Sequence, residues 1–227
     1  MPLAAAIEAR TGLPTRVGND LTALTQHEAW FGAGRDYERL SLVTVGAGVG
    51  YGLVVDGGVI TSPDAELGLL GTIPVPDGAR PPVASPAMDC LTDTALERAW
   101  AAAGGGPRRA EAIVRRAADG DRAAVAVCAS FARRLGRLIG MLAAFTLPEV
   151  VVVAGERAAI ASLFEEQVMV GIAAVRRASA QSPTIAVREH ERVDWARGAA
   201  CLALRSRVMG ERQPRSEERR VGKECRS

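Results

Sequence analysis

The sequence predicts an α/β protein with a partly parallel sheet, and three observations support this fold class. Apolar residues recur at steps of three and four from about Arg122 to Thr146, which predicts a long amphipathic helix. The β-branched run Glu149 to Ala154 follows, as expected for a strand that is buried on both faces. A strand at Thr184 to Val187 and a helix at Trp195 to Leu204 continue the alternation, which favours parallel pairing.

The first half of the chain contains a β-rich segment around a string of glycines. Leu40 to Val45 is predicted to be a strand, and residues 46–52 alternate glycine with other residues before a second strand begins. Asp56-Gly57-Gly58 is typical of a hairpin turn. The segment therefore predicts a meander of antiparallel strands.

Helices and a loop flank this segment. Asn19 and Asp20 precede a predicted helix from Leu21 to Phe31, since such side chains begin helices. Prolines between Pro74 and Pro86 predict a loop, and Ala87 to Ala103 is predicted to be helical.

Composition narrows the class of protein. The length of 227 residues suits one large domain or two small ones, and the 48% hydrophobic content argues against a mostly disordered chain. No long charge-free apolar run is present, and Met1 to Arg10 lacks a signal-peptide core, so we expect a cytoplasmic protein without a membrane segment. The four cysteines form no CxC or CxxC pair, which argues against a zinc knuckle and a disulfide framework.

The charge is unevenly distributed between the body and the tail. Residues 1–210 contain 22 basic and 22 acidic residues, so the body gives no sign of nucleic-acid or anionic-membrane binding. Residues 211–227 contain six basic and four acidic residues, including Lys223, which is the one lysine of the chain. We interpret residues 209–227 as a disordered tail and a candidate cloning or assembly scar.

Two motifs are candidates for chemistry, and each has a structural alternative. The glycine string could expose backbone N–H groups to a phosphate, but it joins strand to strand, and a tightly packed hairpin explains it equally well. Asp20 could be a general base held by Asn19, or a helix cap. His27 and His190 have no partners at ligand spacing, so we expect them to be surface or packing residues.

Five segments in order resemble the ROK family (repressors, open reading frames and sugar kinases), which has the actin-like ATPase (ribonuclease H-like) fold. The resemblance covers about Leu3 to Val208. Its segments are GLPTRVGND (12–20), VTVGAGVGYGLVVDGGVI (43–60), GLLGTIPV (68–75), LPEVVVVAGE (147–156) and WARGAACLAL (195–204).

The resemblance implies a role for several residues. Asp20 is similar to the catalytic base of the family's kinases, and Asn19 and Asp20 to its sugar ligands. Gly46, Ala47, Gly48 and Gly50 match a phosphate-binding loop, and Ala154 and Gly155 match the turn beside the nucleotide.

Other parts of the family pattern are missing. The kinase motif E-x-G-H, which grips the sugar and holds zinc, aligns with residues 69–72 (Leu-Leu-Gly-Thr). The zinc loop should follow, yet Asp77 to Cys90 contains one cysteine, so we expect no zinc site. No D-x-G-x-T phosphate hairpin precedes Gly18, so we expect a truncated N-terminal lobe.

These features predict the sugar-sensing effector portion of a ROK-type transcriptional regulator. We expect residues 1–36 to be a remnant of the small N-terminal lobe and residues 37–208 to form the C-terminal lobe. The partners implied are a small sugar, a second copy in a homodimer, and DNA through a missing N-terminal module. The alternative is an ATP-dependent sugar kinase or an inactive relative, with ATP and magnesium as cofactors and Asp20 as its base.

Overall fold

Helices cover both faces of a central sheet in the structure, a computed structural model that describes residues 3–62, 68–79 and 83–208. The helices are α1 (Leu3–Thr11), α2 (Asp20–Trp30), α3 (Ala87–Cys90), α4 (Asp93–Ala102), α5 (Ala110–Ala118), α6 (Arg122–Thr146), α7 (Ala159–Leu163), α8 (Glu165–Val175) and α9 (Arg192–Val208). The strands are β1 (Arg39–Val45), β2 (Val49–Val55), β3 (Gly58–Val59), β4 (Pro74–Pro76), β5 (Ala84–Pro86), β6 (Val150–Ala154) and β7 (Thr184–Val187).

The main sheet is partly parallel, as the sequence predicts. Its strand order is β3-β2-β1-β6-β7. β1 pairs antiparallel with β2 and parallel with β6, and β6 pairs parallel with β7. The register places Leu42 opposite Val152 and Thr44 opposite Ala154. The predicted α/β class is therefore confirmed.

Strand β1 contributes to hydrophobic cores on both faces of the sheet. Val43 and Val45 belong to a cluster with Leu135 and Ile139 of α6. Leu40 and Leu42 point to the opposite face, where they share a cluster with Leu24 of α2. Because neighbouring residues of a strand point to opposite faces, a strand that is covered on both sides is mostly apolar, as β1 is. The predicted division of the chain into a lobe remnant (residues 1–36) and a C-terminal lobe (residues 37–208) stays a prediction.

Helices α6 and α8 cross at glycine contacts. A Cβ atom built on Gly136 would lie 2.0 Å from the carbonyl oxygen of Val168, and one on Gly171 would lie 2.2 Å from that of Arg133. A Cβ atom on Gly140 would lie 2.6 Å from the side chain of Val175. Gly136 and Gly140 therefore allow α6 to pack closely against α8.

The outer edge of the sheet ends in a short hairpin. Asp56 and Gly57 both have positive φ (51° and 71°), as a tight turn between right-twisted strands requires. The edge strand β3 has only two residues. The guanidinium of Arg205, from α9, donates to the carbonyl oxygen of Gly57 at 3.4 Å, so a side chain of the last helix lies over this edge.

Two predicted elements differ from the structure. The segment from Pro74 to Pro86 contains the antiparallel ribbon β4–β5, and its prolines are tolerated because a two-stranded ribbon has free edges. The predicted helix from Ala87 to Ala103 is two helices, because Thr92 caps α4 by accepting a hydrogen bond from the Ala95 N–H at 3.3 Å. The predicted tail, residues 209–227, lies outside the described residues.

We expect Gly136→Ala to lower the free energy of unfolding by about 1–3 kcal/mol, because the added methyl group forces α6 and α8 apart. Urea unfolding followed by circular dichroism measures the loss. Gly106→Ala is the matched control, since a Cβ atom there meets nothing within 4 Å. Equal stability of the two variants would contradict the packing argument.

Candidate functional site

The candidate sugar-binding residues lie at the start of α2. Asn19 is the N-cap, and its side-chain oxygen accepts hydrogen bonds from the N–H groups of Leu21 (2.9 Å) and Thr22 (3.3 Å). Asp20 is the first helical residue and is exposed, and its Oδ1 accepts from the Leu21 N–H at 2.8 Å. The cap therefore belongs to Asn19, and the Asp20 carboxylate borders solvent.

Glycines in β2 allow the first turns of α2 to lie directly on the sheet. A Cβ atom on Gly50 would come within 2.9 Å of the Leu21 side chain. One on Gly52 would lie 1.9 Å from Oγ1 of Thr25. Gly50 was predicted to bind phosphate as part of the loop, but it lies within β2, where it makes room for the helix that carries Asp20.

The glycine loop joins β1 to β2 and touches the N-terminus of α4. The N–H of Gly46 donates to the carbonyl oxygen of Gly48 at 3.1 Å. The carbonyl oxygen of Gly46 accepts from the N–H of Asp93 at 2.7 Å. Ala47 is exposed between the two glycines. The loop is therefore fixed on one side by a helix N-terminus, where the helix dipole is positive.

The predicted nucleotide turn lies beside this loop. Ala154 ends β6 opposite Thr44. Gly155 follows with φ of 91°, and a Cβ atom on it would lie 2.5 Å from the carbonyl oxygen of Val45. That same oxygen accepts from the N–H of Arg157 at 3.0 Å. The structure thus brings the glycine loop and the Ala154–Gly155 turn together at the carboxyl ends of two parallel strands, where α/β sheets bind ligands.

A buried cluster of charged side chains holds α2 to the C-terminal segment. Glu28 is fully buried, and its Oε1 accepts a hydrogen bond from Nε2 of His190 at 2.7 Å. Its Oε2 accepts from the N–H of Ala33 at 2.8 Å, and Arg188 lies 3.8 Å from Oε1. Because an unpartnered buried carboxylate is costly, these donors stabilise the packing of α2.

Both histidines belong to this cluster. His27 is buried with its Nε2 3.4 Å from Oδ1 of Asp194, and the His27 and His190 rings lie 6.2 Å apart. The fold gives both histidines carboxylate partners, because it joins residues that are far apart in sequence. They are packing residues rather than surface residues.

Ionisation in the cluster reflects burial and pairing. Burial lowers the pKa of His27, and the nearby carboxylates of Asp194 and Glu28 only partly oppose this. Burial raises the pKa of Glu28, but the hydrogen bonds from His190 and the Ala33 N–H outweigh it, so the pKa ends below its usual value. Glu28 is thus charged, and His27 favours its neutral form.

The cluster is separate from the candidate sugar residues. Glu28 follows Asp20 by eight residues, which is about 12 Å along a helix axis. Glu28 is buried and Asp20 is exposed, so the Glu28–His190 pair does not form a catalytic group with Asp20.

The E-x-G-H motif can also be placed three residues earlier. At Glu66-Leu67-Gly68-Leu69 the glutamate and the glycine both match, and leucine replaces only the histidine. Spacing alone could have identified this register, which retains the acid. Residues 63–67 lie outside the described residues, whereas Leu69 is exposed at the start of a short 3₁₀ helix (Leu69–Thr72).

Two kinds of feature are absent from residues 3–62, 68–79 and 83–208. Those residues contain no group of three or more His, Cys, Asp or Glu side chains that could hold a metal ion. None of the helices described there is long and apolar enough to cross a membrane.

Comparison with known proteins identifies the family. A model of the ROK family matches residues 1–206, so the chain belongs to that family. The glucokinase of Thermotoga maritima is 28% identical over 179 residues, which are 68% of this chain and 54% of the glucokinase. The DNA-binding transcriptional repressor Mlc of Escherichia coli is 35% identical over 71 residues, which are 31% of this chain and 18% of the repressor.

Solved structures agree on the fold. A ROK family transcriptional regulator, a homologue of the E. coli Mlc protein, superposes with a TM-score of 0.76 at 24% identity, covering 89% of this chain and 55% of the regulator. The fold is therefore the actin-like ATPase fold of this family. The chain spans about half the length of the glucokinase and of this regulator. Kinases and a repressor are both among its relatives.

We expect the stability of the protein to fall as the pH drops below 6.5, the ordinary pKa of histidine, because the unfolded chain then binds a proton that buried His27 resists. A second loss of stability follows below pH 4.5, the ordinary pKa of a glutamate. There the unfolded chain binds a proton at Glu28 that the folded protein still resists. Urea midpoints between about pH 8 and about pH 3 measure both. The control variant His27→Gln should remove only the loss of stability that begins near pH 6.5. If stability still falls in that range as it does in the wild type, the assignment to His27 is wrong.

Proposed function

We propose that this chain is the sugar-sensing effector portion of a ROK-family transcriptional regulator, with DNA contact made by a module outside the 227 residues. The observation that carries the proposal is the missing histidine of the E-x-G-H motif. In one alignment its position is taken by Thr72 and in the other by Leu69, and neither side chain is an imidazole. A chain of this kind can bind a sugar without the metal-holding group of the kinases.

Cysteine chemistry supports the same proposal. The family's zinc loop is expected at residues 77–90, and this segment contains a single cysteine, Cys90. Zinc loops need several such ligands. The segment therefore lacks the number of cysteine ligands that a zinc loop requires.

Asn19 and Asp20 suit recognition of a sugar hydroxyl. The side-chain oxygen of Asn19 accepts the two helix-capping hydrogen bonds, so its NH₂ group is the part that can donate to a ligand. The exposed Asp20 carboxylate can accept from a hydroxyl beside it. Together they offer a donor and an acceptor on adjacent residues, held in place by the helix cap.

The second candidate function is an ATP-dependent sugar kinase. Two observations favour it. Asp20 is exposed at the start of α2, which packs against β2, the strand that follows the glycine loop. A glucokinase is also among the relatives. In this case Asp20 accepts the proton of the attacking sugar hydroxyl. The glycine loop and the Gly155 turn would hold the phosphates, and magnesium would supply charge stabilisation when bound.

We expect calorimetry to detect binding of glucose, mannose or N-acetylglucosamine, with Asp20→Asn and Asn19→Ser each weakening it by roughly tenfold. Serine still caps the helix, so Asn19→Ser removes the amide without removing the cap. Asp56→Asn, at the other end of β2, is the control and should bind as the wild type does. If no sugar binds at millimolar concentration, the sensor proposal fails.

Incubation with magnesium, ATP and the same sugars separates the two functions. We expect no sugar phosphate to form, because the histidine that grips the sugar or holds zinc in the family's kinases is missing. Turnover that Asp20→Asn abolishes would establish the kinase and overturn the regulator. The coding sequence upstream of Met1 gives an independent test, since a helix-turn-helix there supports the regulator.

A further inference from the structure

A carboxylate lies directly against the first glycine of the glycine loop. A Cβ atom built on Gly46 would lie 1.8 Å from Oε2 of Glu156 and 2.9 Å from its carboxyl carbon. The turn at Gly155, with φ of 91°, brings the chain back over the loop and places Glu156 there. The face of Gly46 that has no side chain is therefore covered by an acidic group.

The neighbouring cation does not compensate for this charge. Arg157 follows Glu156, but its Nε lies 2.9 Å from Oδ1 of Asp93, and its side chain is only 12% exposed. Asp93 is the first residue of α4, so its carboxylate also occupies the positive end of that helix. Two acids and one base border the loop, which leaves a net negative charge beside Gly46.

This arrangement opposes the binding of polyphosphates. Phosphate loops work because backbone N–H groups, helix N-termini and cations all face the anion. Here one loop N–H is bonded within the loop, the nearby helix N-terminus carries Asp93, and the guanidinium of Arg157 is paired. A second anion in the same place meets repulsion that is only partly screened by solvent.

We propose that Glu156 is a specificity-determining residue that closes the glycine loop to polyphosphate ligands. The proposal concerns the nucleotide half of the cleft and goes beyond sugar sensing, because it holds whether or not a sugar binds at Asn19 and Asp20. A nucleoside without phosphates is unaffected by the carboxylate, whereas a nucleoside diphosphate is repelled.

Calorimetric titration with ADP and with adenosine, in EDTA so that no metal bridges carboxylate and phosphate, tests this. Glu156→Gln keeps the size of the side chain and removes its charge, and it should bind ADP at least about tenfold more tightly than the wild type at low salt. The gain should shrink as sodium chloride is added. Adenosine affinity should change less than about twofold, within the range expected for a surface substitution.

Asp56→Asn is the matched control, because it removes one exposed negative charge at the opposite end of β2. An equal gain in this variant, or an equal gain for adenosine, overturns the proposal. So does a Glu156→Gln variant that binds ADP no better than the wild type, including the case in which neither binds. Sugar titrations of the same samples report separately on the sensor function.

Discussion

The parallel pairing of β1 with β6 is the constraint on which the candidate site depends. With Thr44 opposite Ala154, both strands end at the same level, and the chain leaves each through a glycine-containing turn. Both strands are buried on both faces, so their hydrogen-bond ladder is protected from water. A shift of register would separate Gly46 from Gly155 and reverse which side chains enter each core.

Helix α2 links this geometry to the candidate sugar-binding residues Asn19 and Asp20. Its side chains Leu21 and Thr25 occupy the space over Gly50 and Gly52, which sets the distance between the helix and the sheet. On its other side, the Glu28–His190 hydrogen bond attaches it to the segment that leads into α9. The position of Asp20 thus depends on a residue 162 positions from Glu28 along the chain.

Local patterns predicted the parts of the fold that depend on neighbouring residues. The apolar repeat of α6, the valine run of β6 and the Asp56-Gly57 turn are each visible within a short window. The capping role of Asn19 was harder to assign, because Asn and Asp are equally good caps and only the helix phase separates them. The break between α3 and α4 was also missed, since a threonine such as Thr92 inside a run of helix-forming residues does not by itself mark the start of a new helix.

Contacts between distant segments could not be predicted from such patterns. Nothing near His27 or near His190 indicates that the two rings lie close together beside Glu28, since that contact depends on the packing of α2 against the segment between β7 and α9. The proximity of Glu156 to Gly46 likewise depends on the positive φ of Gly155. The candidate site was predicted as separate segments, and the sheet register is what assembles them.

The short edge strand β3 has a consequence for self-association. An exposed strand edge offers unpaired N–H and C=O groups to a neighbouring molecule, and long flat edges promote intermolecular sheet extension. Here that edge ends after two residues, and Arg205 already takes the carbonyl oxygen of Gly57. A cationic side chain at a truncated edge disfavours the growth of a continuous intermolecular sheet from β3.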